Sequence, residues 1–294
     1  MFGVSKRIIN FAHSKSDRSV KIQQVLDALE RFAPLPLQEG WDNAGLQIGL
    51  TEAEVSGALL CLDVTEQIID EAIAKGCNLV VSHHPLLFRG LKQIGGHDCV
   101  QRTVMKAIKH DIAVISMHTN LDSAPGGVNF KIAERLGATP MSPIGQMSPM
   151  SPMSPMSPGP MSPMGPEKIP WVLATLPAPM EARAFVALVK ERFGVACAHC
   201  NALLERPVST VAICGGAADI VLDEAIAAGA DAFITGEMHY HVFFGHEQQI
   251  QICVIGHYES EQFTAEVLRD IIRRDCPGVQ TFIAETNTNP IVYC

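Results

Sequence analysis

The sequence predicts an α/β protein of two similar halves, each built from strand–helix–strand units whose mixed sheets are flanked by helices. Three observations carry that expectation. Residues 70–76 read DEAIAKG and residues 223–229 read DEAIAAG. Each copy lies between two apolar runs, GALLCLDV and NLVVS around the first, TVAICGG and DAFIT around the second. A tract of repeated Met-Ser-Pro, residues 141–166, separates the copies.

Taken in chain order, the short apolar runs bounded by turn residues read as buried strands. The helix of each copy ends at Gly76 or Gly229, where a glycine past the last helical residue can take the left-handed conformation. Strand–helix–strand units with short connections imply a largely parallel or mixed sheet covered by helices. A repeat on this scale means duplicated halves rather than a solenoid. DIAVISM (111–117) and QICVI (251–255) read as further strands, the second followed by an amphipathic helix to about Arg274. Met-Ser-Pro repeats cannot form a helix or a ladder, because every third residue lacks an N–H and restricts its neighbour. The tract reads as a flexible or polyproline-like linker, with a Pro-rich docking motif as the alternative. The expected boundaries are an N-terminal half at 1–139, a linker at 140–167 and a C-terminal half at 168–294, the last strand being free to return to the first half.

Composition narrows the class. The 294 residues are 47% apolar and 18% charged, typical of a globular chain with sizeable cores. No apolar run approaches the ~20 residues of a membrane span, so no membrane association is expected. The net charge is −9 and Lys/Arg residues are not clustered, which argues against nucleic acid as a direct partner. The N-terminal MFGVSKRIINFAHSKSDR lacks a continuous apolar core and a small-residue cleavage site. A secretory signal is not expected there, an organellar transit peptide being the alternative. Nine scattered cysteines make a disulfide framework implausible, and a reducing, cytoplasmic compartment follows as the expectation.

Chemistry is expected beyond the carboxyl ends of the strands, where open α/β sheets bind ligands. His83 and His84 are adjacent, so a regular strand would point them to opposite faces. Just past a strand end, with Pro85 extending the chain, both can reach one cavity and serve one ion each. By itself the pair also reads as two surface histidines. Asp122 lies in a turn-rich loop after the 111–117 strand, where a turn role competes with ligation. His118 in the same loop reads as a partner of a ligand rather than a ligand. His257 and Glu261 are four apart, a spacing that brings two side chains to one helix face. Ser260 as an N-cap would put Glu261 in the first turn, where the helix dipole gives a bland account of its charge. Glu237, His239, His241 and His246 follow the repeated strand and either line the cavity or sit on the surface.

Together, His83, His84, Asp122, His257 and Glu261 form the nitrogen and oxygen ligand set of zinc, iron or manganese hydrolytic sites. The two carboxylates can partly neutralise two divalent ions, and one can bridge them. Cys197-Ala-His-Cys200 lacks the second pair a structural zinc site requires, and buried thiols are the simpler account. The sequence contains no GxxxxGK[ST], no GxGxxG after a strand and no GxSxG.

These residues sit in longer motifs: WDNAGLQIG (41–49), VVSHHPLLF (80–88), HTNLDSAPGGVN (118–129), TGE (235–237) and GHYESE (256–261). Through them the sequence resembles the GTP cyclohydrolase 1 type 2-like proteins, also called the Ngg-interacting-factor-three-like family, over nearly the whole chain outside the linker. The resemblance implies a duplicated α/β protein with two metal ions between the halves, on the same five ligands. It implies a homohexameric toroid with sites facing an internal cavity, and Trp41-Asp42-Asn43 near the metals. Some members carry an inserted domain where this chain holds only Met-Ser-Pro. The implied activity is that of a metal-dependent hydrolase acting on a small, nucleotide-like substrate. Opening a guanine ring would need a proton donor for the departing nitrogen, and His118, Glu237 and His239 are the candidates. The rival expectation is a non-catalytic metal-handling or regulatory scaffold for protein interactions.

Overall fold

The computed structural model describes residues 19–141 and 170–294. The basic N-terminal stretch and the Met-Ser-Pro tract after Met141 lie outside the described residues, and with them the linker reading.

The first half opens with α1 (Ile22–Phe32) and β1 (Gly45–Ile48), followed by β2 (Ala58–Cys61), α2 (Glu66–Ala74) and β3 (Leu79–Ser82). It continues through α3 (Cys99–Lys109), β4 (Ala113–Ser116), the short α4 (Thr119–Asp122) and α5 (Val128–Leu136). β5 (Thr139–Pro140) already pairs with β6 (Val172–Met180), so the chain joins the second sheet before the Met-Ser-Pro tract. There follow α6 (Ala182–Phe193), β7 (His199–Cys200), β8 (Val208–Ala217), α7 (Leu222–Ala227) and β9 (Ala232–Glu237). β10 (Gln251–Val254), α8 (His257–Glu261), α9 (Thr264–Asp275) and β11 (Thr281–Ile283) complete the chain.

One sheet runs β1-β4-β3-β2-β11 and the other β5-β6-β8-β9-β10-β7. In the first, β2, β3 and β4 are parallel and β1 caps β4 antiparallel. In the second, β8, β9 and β10 are parallel and β7 caps β10 antiparallel. The duplication therefore extends beyond the DEAIA segment to strand order and direction. Gly76 and Gly229 occupy the same place after α2 and α7, at φ +68° and +75°. β11 departs from sequential order and lies parallel beside β2 in the first sheet.

The strands read as continuous apolar runs because both faces of each sheet are covered. Along β2, Ala58 and Leu60 enter a central core while Leu59 and Cys61 enter a separate cluster under α2 and α3. β8 and β9 alternate in the same way, Ile213 and Ile234 facing the centre and Ala212 and Phe233 the outside. The central core also holds Leu29 of α1, Ile132 of α5, Phe185 of α6 and Leu268 of α9. A helical layer thus lies between the two sheets, and both halves share one hydrophobic core. Among the described residues no helix is long and apolar enough to cross a membrane.

Candidate metal centre

The parallel strands of both sheets deliver their carboxyl ends to one cleft. β3 leads into His83 and His84, β4 into His118 and α4, and β10 into α8. The duplication is visible here too. His118 and Asp122 after β4 are four residues apart across a short helix, as are His257 and Glu261 after β10.

The five expected ligands meet. Glu261 is only 4% exposed, and its two oxygens divide the group. Oε2 lies 3.0 Å from His84 Nε2 and 3.2 Å from His257 Nε2, while Oε1 lies 3.7 Å from His83 Nε2. Asp122 Oδ1 stands 3.6 Å from His83 Nε2. Two triads result, His84–His257–Glu261 and His83–Asp122–Glu261, each with its ligand atoms within 4.8 Å of one another. His83 Nε2 and Asp122 Oδ1 are buried and have no hydrogen-bond partner. Orphaned buried polar atoms are costly, and a cation facing both would satisfy both. The donor set and these orphans fit a metal.

The opposite nitrogen of each imidazole is held from behind. His83 Nδ1 is 2.8 Å from the Met117 carbonyl, His84 Nδ1 2.7 Å from Asp63, His118 Nδ1 2.7 Å from Asp42, and His257 Nδ1 3.0 Å from Glu237. A carbonyl or carboxylate oxygen only accepts, so Nδ1 carries a proton and Nε2 is the nitrogen left to face the cleft. Histidines that ligate metals are oriented in this way. Burial works against charge on His84, but Asp63 and Glu261 on its two nitrogens outweigh it and lift its pKa to about 10. Burial likewise opposes the Glu261 carboxylate, yet the surrounding imidazoles of His83, His257 and His84 hold it well below the usual range. Burial pushes Asp122 up to about 7, against the pull of His83. For Asp42, hydrogen bonds from His118 and Thr119 overcome burial and bring its pKa to about 2.

Two readings change. Ser260 is not the N-cap: the helix begins at His257, after Gly256. The Ser260 hydroxyl donates to the His257 carbonyl and accepts from Gly216 N–H at 3.1 Å, tying α8 to the end of β8. Glu261 therefore closes a helical turn, and the first-turn dipole does not account for its charge. Among the proton-donor candidates, only His118 shares the cleft with His83 and His84. Glu237 stands behind His257 as its orienting acceptor. His239 is 90% exposed, and its ring pairs with Asp219. Its side chain is turned away because the chain leaves β9 into a one-turn 3-10 helix at Tyr240–Phe243.

The cleft opens into a cavity of about 550 Å³ whose floor includes His84, His118, Asp122, His257 and Glu261. Trp41 and Phe88 form one wall, 61% and 46% exposed, with ring centroids 5.8 Å apart and both rings edge-on to His118. The facing wall is Gly215–Ala218. A β-carbon on Gly216, at φ +64°, would come within 2.6 Å of Glu261 Oε1, so the backbone approaches the carboxylate as only glycine allows. Phe88, Asp63 and the tail residue Thr288, which donates to Asp63 at 2.7 Å, were not singled out from the sequence. Asp63 had a signal, since it directly follows a strand run.

Comparison with known proteins agrees with this fold. The chain matches the family model for Duf34/NIF3 (NGG1p interacting factor 3) over residues 20–290. A Clostridium perfringens protein named GTP cyclohydrolase 1 type 2 homolog is 32% identical, over 82% of this chain and 87% of its own length. One of the same name from Clostridium acetobutylicum is 30% identical over 83% and 86%. The crystal structure of a Staphylococcus aureus hypothetical protein superposes with TM-score 0.80 at 26% identity, covering 94% of this chain and all of that one.

Proposed function

This chain belongs to the Duf34/NIF3 family, and from that premise we propose a dinuclear metal-binding protein that hydrolyses a small, nucleotide-like molecule. One observation carries the reading: imidazoles from both halves, each anchored at Nδ1, aim Nε2 at a buried carboxylate. His83, Asp122 and one oxygen of Glu261 would hold one ion, and His84, His257 and the other oxygen the second. Zinc, iron and manganese all suit this set. Bound divalent ions supply a water acidic enough to act near neutral pH and polarise the bond to be broken.

The chain's own residues do the rest. His118, fixed by Asp42, faces the cleft with Nε2 and is placed to take a proton from the attacking water and pass it to the leaving atom. Trp41 and Phe88 offer exposed apolar rings against which a planar ring can pack, which suits the substrate named for the GTP cyclohydrolase 1 type 2 homologs. Assembly into a homohexamer and residence in the cytoplasm belong to the same proposal. Sedimentation velocity distinguishes a hexamer from the 31.8 kDa chain.

The deciding experiment challenges metal-replete protein with GTP and with phosphoesters, beside His257→Ala. Turnover lost in the variant supports the hydrolase. Tight metal binding with no turnover of either substrate class replaces it with the metal-handling scaffold.

A further inference from the structure

The Cys197-Ala-His-Cys200 motif has no part in the centre above, and its second thiol makes a contact of a different kind. Cys200 lies on edge strand β7, directly opposite Cys253 on β10, in antiparallel register. Cys253 lies within the central core and Cys200 packs against it, so both side chains lie on the same face of the sheet. Opposed residues of an antiparallel pair have Cα atoms about 4.5–5.5 Å apart, inside the roughly 4.4–6.8 Å range that a disulfide takes without backbone movement. Cys253 is buried in the central core, whereas Cys200 is half-buried and lines a separate surface cavity of about 460 Å³ with His199, Met238 and Tyr240. One residue of the pair reaches the surface and the other does not.

We propose that Cys200 and Cys253 are a reversible redox pair, oxidised by a hydroperoxide to a cross-strand disulfide. The Cys200 thiolate attacks the peroxide, forming an S–O bond as the O–O bond breaks and the alcohol or water leaves. Cys253 then gives up its proton and attacks the sulfenic sulfur, forming S–S as S–O breaks and water leaves. The two thiols are oxidised by two electrons and the peroxide is reduced. The environment divides the roles accordingly. The neighbouring Cys253 thiol, against burial and aided by Lys190, draws the Cys200 thiol below its ordinary value. The Cys200 thiol and burial hold Cys253 well above it. A lowered thiol attacks and a protonated neighbour resolves. The staple would join the edge strand to the strand that runs into His257, which gives the pair a route to the cleft.

The test treats the reduced full-length chain with hydrogen peroxide and maps its cysteines by mass spectrometry. The expected product is one intramolecular Cys200–Cys253 disulfide, reversed by dithiothreitol. In Cys253→Ala, dimedone should trap a sulfenic acid at Cys200. Oxidation of Cys200 to sulfinic acid while Cys253 stays a free thiol overturns the proposal, as does a bond between Cys200 and Cys197. The wild-type map decides the matter even if the variant does not fold.

Discussion

The carboxylate of Glu261 and the imidazole of His84, 177 residues apart in the chain, meet with Oε2 3.0 Å from Nε2. This contact joins the two halves at their strand ends. It gives the Glu261 carboxylate one oxygen toward His84 and His257 and the other toward His83. Glu261→Gln keeps the shape and removes the charge. Metal affinity should fall at least tenfold at both positions, about 1.4 kcal/mol or more each, measured by competition with a chromophoric chelator. A variant that loses only one ion would confine Glu261 to one position.

His83→Ala and His257→Ala should each lower the metal content from two ions to about one, because the histidines belong to different triads. Elemental analysis after gentle purification measures it. Loss of the same ion in both variants, told apart by anomalous scattering from mixed-metal protein, would contradict the division.

Metal should stabilise the chain by about 2.7 kcal/mol at a hundredfold excess over the dissociation constant. Because Leu60, Ile132, Ile234 and Leu268 share one core, the halves should melt together. Calorimetry with and without chelator should therefore show one transition that shifts, and two separated transitions would show independent halves.

Thr288 reaches the centre through Asp63, which accepts its hydroxyl at 2.7 Å and the His84 Nδ1–H at 2.7 Å. Thr288→Val should weaken metal binding by up to about tenfold, toward the low end of the effect of residues that orient ligands. Thr288→Ser should restore it. A loss in Thr288→Ser with none in Thr288→Val would mean that the methyl packing matters and the hydroxyl does not.

Glu71 fastens the segment after β11 to α2, accepting from the Glu285 and Thr286 N–H groups at 2.8 and 2.9 Å and from the Thr286 hydroxyl at 2.6 Å. Burial opposes its charge, but these donors prevail and lower its pKa. A carboxyl lowered on folding contributes stability above its unfolded value of 4.5, lost as pH falls through the folded one. Glu71→Gln should cost about 1.5–3 kcal/mol at pH 7, and urea titrations should show the gap closing as the pH falls from the unfolded value through the lower folded one. A gap independent of pH would place the effect in packing.

Much of this molecule was written locally. Apolar runs, the repeated DEAIA helix and its closing glycines specify strand–helix–strand units, since periodicity and capping depend only on near neighbours. His83, His84, Asp122, His257 and Glu261 are legible as a candidate ligand set because each lies in the loop or short helix that follows a strand run, where α/β sheets place chemistry. What lay beyond the sequence depended on how loops approach one another. Asp42 behind His118, Asp63 and Thr288 behind His84, and Phe88 beside Trp41 come from segments far apart in the chain, and no local pattern says which of them meet. His239 and Glu237 show the converse. Their nearness in sequence to a strand end suggested the cleft, but the backbone after β9 turns His239 into solvent and leaves Glu237 behind His257. The sequence determined which strand ends carry imidazoles and carboxylates. Packing of two sheets around one helical layer decided which of those groups face each other, because only that packing brings the strand ends of both halves to one cleft.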